Sequence, residues 1–116
     1  MTLRWENIVI DCADTKLVGR FWAAVFEVPL QGPDDDVYWI EPGDVVPEIM
    51  FIPVPEAKSV KNRLHIDVRG ENRDAEVARL EELGARRIDI GQGEVSWVVM
   101  ADPEGNEFCV LRERPA

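Results

Sequence analysis

Histidine and cysteine are scarce in this chain. There is one His, at position 65, and two Cys, at positions 12 and 109, among 116 residues. The thiols stand on separate apolar stretches, with neither CxxC spacing nor a His at ligand spacing. They read as small buried hydrophobes rather than as a disulfide or a zinc site. Basic side chains are also few: 13 Lys and Arg face 23 Asp and Glu, for a formal charge of −10. A phosphate backbone or an anionic membrane would be repelled, so nucleic acid and membrane are excluded as partners. No apolar run approaches the roughly 20 residues of a membrane span. Residues 1–7 lack the charged start and apolar core of a signal peptide, and a cytoplasmic location is expected.

What is present is the composition of a globular domain, 46% hydrophobic and 31% charged. The length suits one domain, residues 1–116, able to bury a core without a disulfide or metal. Residues 6–12 alternate, with Ile8, Ile10 and Cys12 on one face and Asn7, Val9 and Asp11 on the other, as in a half-buried strand. Asp14 or Thr15 can cap a helix carrying Leu17, Val18, Phe21, Trp22, Val25 and Phe26 at helical spacing, ending near Val28-Pro29. Residues 31–36 read as a polar connection, and residues 37–41 and 48–52 as strands. Prolines 53 and 55 then open a linker over residues 53–62.

The second half starts again. Residues 63–69 alternate, with Leu64, Ile66 and Val68 opposite His65 and Asp67. Asn72 or Asp74 caps a helix with Ala75, Val77, Ala78, Leu80 and Leu83 on its apolar positions, stopped by Gly84. A short strand over residues 86–90 follows. Residues 95–111 then carry two apolar runs about Asp102-Pro103-Glu104-Gly105-Asn106, a strong hairpin signal. Asn7 over His65 is an offset of 58 residues, which also lays one helix over the other and Trp39 over Trp97. The chain therefore reads as two repeats, roughly residues 3–53 and 62–113. Neither can cover both faces of its sheet with one helix, so a pair would form a cleft.

That order, closed by Trp-Val-Val-Met-Ala-Asp-Pro-Glu-Gly-Asn-Glu-Phe-Cys-Val-Leu at residues 97–111, resembles the vicinal oxygen chelate superfamily. The likeness is to its single-domain glyoxalase-like and bleomycin-resistance-like members. It implies an α+β fold of two βαβββ repeats, each a curved, mainly antiparallel sheet with one helix, the two forming a cleft. In metal-dependent members His or Glu ligands come from strands one, four, five and eight. Those positions fall on Asn7, on Met50 or Phe51 according to register, on His65, and on Cys109. Only His65 is a ligand of the family's kind. A metal held by His65 alone would be weak, so no metal and no cofactor are expected.

Strand alternation directs Asn7, His65, Asp67 and Cys109 to the candidate ligand-binding surface; the resemblance adds Phe51 at the fourth-strand position, and Trp39 and Trp97 complete the set, with no catalytic residue assigned. Four tryptophans suit a cleft that holds a hydrophobic or aromatic molecule by stacking and apolar burial. Expected partners are a small-molecule ligand and a second copy of the chain, the homodimer covering sheet edges such as the one near Asn7. The alternative is a metal-dependent lyase, isomerase or dioxygenase with divergent ligands, for which Glu48 and Glu107 are the carboxylates available; as an enzyme the chain would be a lyase of the glyoxalase type.

Overall fold

A computed structural model describes residues 2–114. The chain divides into two compact units, residues 1–57 and 58–116. Each is an open four-stranded sheet with one helix.

In the first unit, β1 (Ile8–Cys12) leads to α1 (Thr15–Phe26), and β2 (Gln31–Asp34), β3 (Val37–Ile40) and β4 (Ile49–Pro53) follow. The expected cap is Asp14, whose carboxylate accepts from the Leu17 N–H at 3.0 Å. Thr15, the other candidate, instead donates its hydroxyl to the Asp36 carbonyl at 2.7 Å. Val18, Phe21, Trp22 and Val25 are buried at the i, i+3, i+4, i+7 spacing that puts them on one helical stripe. Leu17 is not on that stripe and is exposed. The helix stops at Glu27, which takes the left-handed conformation (φ 56°) one residue before the position expected from Pro29. Gly19 has no side chain to hold the helix off the sheet: a Cβ there would lie 3.2 Å from Leu30 and 3.4 Å from Phe51.

Strand order is β1-β4-β3-β2, with β1 parallel to β4 and the other pairs antiparallel. Residues 31–36 are more than a connection. Asp35 and Asp36 both adopt positive φ (52° and 64°), the geometry of a tight hairpin turn, so the chain reverses and β2 pairs with β3. Asp tolerates the left-handed region because its short polar side chain can bond locally, a property that composition alone does not announce. The register aligns Ile8, Ile49 and Ile40, then Val9, Met50 and Trp39, then Ile10, Phe51 and Tyr38. Ile40, Ile49 and Phe51 are fully buried, and α1 packs against β3 and β4. Val9, Met50 and Trp39 therefore share the face turned away from the helix.

The second unit repeats the plan with β5 (Ile66–Arg69), α2 (Arg73–Glu82), β6 (Arg86–Arg87), β7 (Val98–Ala101) and β8 (Glu107–Leu111), in the order β5-β8-β7-β6. Again the β5–β8 pair is parallel and the rest antiparallel. Asn72 is the cap, accepting from the Ala75 N–H at 3.0 Å, and Gly84 (φ 114°) follows the helix end. Val77 and Leu80 are the buried residues of α2, while Ala75 and Ala78 face solvent and Leu83 is partly exposed. Leu64, expected on the core face of the first strand, lies outside β5 and is 84% exposed. The expected strand over residues 86–90 pairs only through Arg86 and Arg87.

The hairpin β7–β8 is as expected. Asp102 is fully buried and holds its turn together: one carboxylate oxygen accepts from the Glu104 and Asn106 N–H groups at 3.0 and 2.9 Å, and Asn106 Nδ2 donates to the other at 3.0 Å. Gly105, at φ 93°, supplies the positive φ this loop requires, and its N–H donates to the Asp102 carbonyl at 2.8 Å. Phe108 and Val110 are buried on the side that α2 covers. No described helix is long and apolar enough to cross a membrane.

Candidate functional site

The face of the first sheet turned away from α1 carries an open hollow of about 540 Å³, lined by Asp34, Asp35, Val37, Trp39, Glu48 and Met50. Its origin is local. The β2–β3 turn presents two aspartates at the rim, and alternation in β3 sends Val37 and Trp39 to the open face. The register sets Met50 directly beside Trp39. The indole N–H is held by Glu41 at 2.9 Å, which anchors the ring. Glu48 Oε1 accepts from Asn7 Nδ2 at 3.1 Å, and the same amide nitrogen donates to Met50 Sδ at 3.2 Å. Among the described residues no basic side chain forms an ion pair with Asp34, Asp35 or Glu48. The hollow thus combines an aromatic face, a thioether and three uncompensated carboxylates.

Phe51 requires a correction. The resemblance points it to the ligand-binding surface, but its side chain is fully buried and points towards α1, in contact range of Gly19. The open-face residue of β4 is Met50, because period-two alternation admits only one of two neighbours to a given face. Trp39 also does not correspond to Trp97. Trp39 opposes Met50, and the equivalent residue opposing Cys109 is Val99, two residues beyond Trp97. Trp97 lies just before β7 and is 39% exposed. Asp34, Asp35 and Met50 were not among the expected site residues; the paired aspartates of the reversed turn were the available signal.

In the second unit the parallel register pairs Asp67 with Cys109. His65, two residues before Asp67, places Nε2 3.2 Å from Asp67 Oδ1. One ligand atom from each of His65, Asp67 and Cys109 lies within 4.8 Å of the others. His65 therefore does not stand alone. The Cys109 thiol is pushed up from its ordinary pKa by burial, by the Asp67 charge and by its hydrogen bond to Asp67, against the opposing pull of Lys61.

Glu107 is committed elsewhere. Its carboxylate accepts from Lys58 Nζ at 2.9 Å and from the Asn62 N–H at 2.8 Å. Burial alone would raise its pKa, but these two partners together hold it below the ordinary carboxylate value. Of the two carboxylates weighed for an enzymatic role, only Glu48 remains on an open face.

The sequence matches the glyoxalase-like domain family over residues 7–111, and the chain belongs to that family, within the vicinal oxygen chelate superfamily. Among solved structures it resembles the fosfomycin resistance protein FosX from Mesorhizobium loti (15% identity, 96% of this chain and 92% of that chain covered, TM-score 0.69). It also resembles protein ATC0852 from Agrobacterium tumefaciens (13%, 98% and 100%, TM-score 0.74). A third is FosX from Listeria monocytogenes, in a structure complexed with Mn(II) and 1S,2S-dihydroxypropylphosphonic acid (14%, 98% and 93%, TM-score 0.70). These likenesses establish the fold. No curated protein matches the sequence.

The residues here do not fit a hard divalent ion of the Mn(II) kind at the superfamily's four positions. Those positions hold Asn7, Met50, His65 and Cys109. The Asn7 amide is turned to donate to Glu48 and Met50, Met50 offers a thioether, and Cys109 a thiol, whereas manganese favours carboxylate, carbonyl and water oxygen.

Proposed function

We propose that this protein binds a small hydrophobic or aromatic organic molecule, and that the hollow of the first unit takes a positively charged one. The observation that carries this reading is the grouping of Trp39, Val37 and Met50 with Asp34, Asp35 and Glu48 around about 540 Å³. That volume lies in the range of drug-sized ligand pockets, roughly 300–1,000 Å³. The indole face attracts a cation while its area supports stacking. The carboxylates supply charge without a fixed counter-ion, and the formal charge of −10 adds a favourable long-range field. Binding of this kind calls for no metal.

The test is a thermal-shift and calorimetric screen comparing aromatic amines, neutral aromatics of the same shape and aromatic carboxylates. A ligand that binds only the folded state raises its melting temperature by mass action. Aromatic amines should give the largest shift and Trp39→Ala should abolish it. Equal shifts from amines and their neutral counterparts, or a shift that survives Trp39→Ala, would overturn the reading.

We also propose that the chain forms a homodimer. β1 is an edge strand; within it Val9 is 43% exposed, and just before it Trp5 is 73% and Leu3 99% exposed. A partner strand or sheet face would satisfy the edge and cover these side chains.

A further inference from the structure

We propose that Glu107 anchors a primary-ammonium site in the second unit, that the chain's own Lys58 fills it, and that residues 58–62 thereby form a latch which a ligand amine can displace. The inference stands apart from the hollow of the first unit. It rests on contacts within the second unit alone and would hold if that hollow bound nothing.

The register of the two repeats brings the site into view. Met50 lies opposite Trp39 and Val9, and Cys109 lies opposite Val99 and Asp67, so Met50 and Cys109 are equivalent positions of the two units. Glu48 and Glu107 each stand two residues earlier and are equivalent too. Their surroundings differ. Glu48 accepts from the neutral amide of Asn7, and beside it Val37, Trp39 and Met50 are half-buried around open space. Glu107 holds an ammonium, and on its face of the sheet Val99, Ala101 and Cys109 are buried. The second carboxylate has a guest where the first has room for one, and that guest is a side chain of the same unit.

The slot has the chemistry of a primary-ammonium site. Lys58 Nζ donates to Glu107 Oε2 at 2.9 Å and to the Val60 carbonyl, while the Asn62 N–H takes Glu107 Oε1 at 2.8 Å. Two acceptors about one nitrogen suit a group with N–H donors, and a quaternary ammonium has none. Both side chains are largely shielded, so an empty slot leaves Glu107 desolvated without a counter-ion, and that cost favours a cation over a neutral replacement. Displacement is feasible because residues 58–62 belong to neither helix nor strand, and Ser59, Val60 and Lys61 are exposed. A segment of this kind opens at lower cost than the core. Lys58 competes as a tethered occupant, with an effective concentration on the order of millimolar for a short flexible tether, so a ligand amine displaces it when its remaining atoms add affinity.

The experiment follows hydrogen exchange of the Asn62 amide by NMR in the full chain. In the wild type it should exchange about tenfold or more faster than the amides of β8, because the latch opens while the sheet stays intact. Lys58→Ala should speed it by a further factor of about ten or more, the worth of a hydrogen bond to a charged group. The atoms which that substitution removes are those of n-propylammonium. Added to Lys58→Ala, n-propylammonium should restore the protection saturably, whereas 1-propanol and tetramethylammonium at equal ionic strength should not, and Glu107→Gln combined with Lys58→Ala should abolish the rescue. Should Lys58→Ala not fold alone, folding that returns with n-propylammonium and with neither control carries the proposal, and folding that does not return overturns it. Asn62 exchange no faster than that of β8 in the wild type, exchange unchanged in Lys58→Ala, rescue by tetramethylammonium to the same extent, or rescue that survives Glu107→Gln would each overturn it as well.

Discussion

Lys58 Nζ lies 2.9 Å from Glu107 Oε2, with both side chains largely shielded, so the first residue of the second unit is tied to the first residue of its last strand. The Asn62 N–H completes the clamp on the same carboxylate. Lys58→Met should destabilise the protein by about 1–3 kcal/mol, because it leaves a mostly buried carboxylate short of a donor. The folded pKa of Glu107 is lowered, so its contribution is present above the unfolded value, roughly 4.3, and is lost as pH falls through the folded value. Urea unfolding should therefore show the gap between wild type and Lys58→Met narrowing as the solution is taken from pH 7 to below about 4. A gap that widened in acid would show that the pair does not stabilise the fold by this route.

Asp102 should be a second point of high cost. Its carboxylate is fully buried and serves several donors within one turn, so Asp102→Ala would strand partly buried N–H groups. We expect a loss of about 2–4 kcal/mol by chemical denaturation. Glu104→Ala, in the same turn, should cost far less.

Phe51 and Met50 separate core from site. Phe51→Ala removes a fully buried ring beneath α1 and should cost about 3–5 kcal/mol. Met50→Ala, on the open face, should cost much less stability and should weaken binding of the aromatic amine found in the screen. If Phe51→Ala folded with wild-type stability, the assigned register of β4 would be wrong.

Charge in the hollow can be isolated from shape. Asp34→Asn, Asp35→Asn and Glu48→Gln, alone and together, should lower affinity for an aromatic amine while sparing its neutral analogue. Each exposed charge is expected to contribute less than about 1 kcal/mol, so the triple variant is the decisive one. Added salt should weaken the wild type more than the triple variant.

For the homodimer, sedimentation at micromolar concentration should give twice the 13.2 kDa chain mass. Val9→Lys combined with Trp5→Glu should shift it to the monomer. Wild-type protein that sediments as a monomer would remove the proposed interface.

Much of the fold was legible in the residues themselves. Alternation in residues 6–12 and 63–69, the helical stripe of Val18, Phe21, Trp22 and Val25, the caps at Asp14 and Asn72, and the Asp102–Asn106 turn are local signals, each set by the geometry of a few neighbouring residues. The half-chain offset followed from their repetition. Less visible were features that depend on pairing: β2 forms because Asp35 and Asp36 enter the left-handed region, and Leu64 leaves the core because β5 begins only at Ile66.

The candidate sites divide along the same line. Sequence alone determined that His65 and Asp67 share a face, since both lie on one alternating stretch. Only tertiary structure decided that Cys109 lies opposite Asp67, that Met50 rather than Phe51 stands beside Trp39, and that Glu107 is taken up by Lys58 and Asn62. The physical reason is that a one-residue change of register between strands exchanges the two faces of a sheet, while leaving every local preference of the chain untouched.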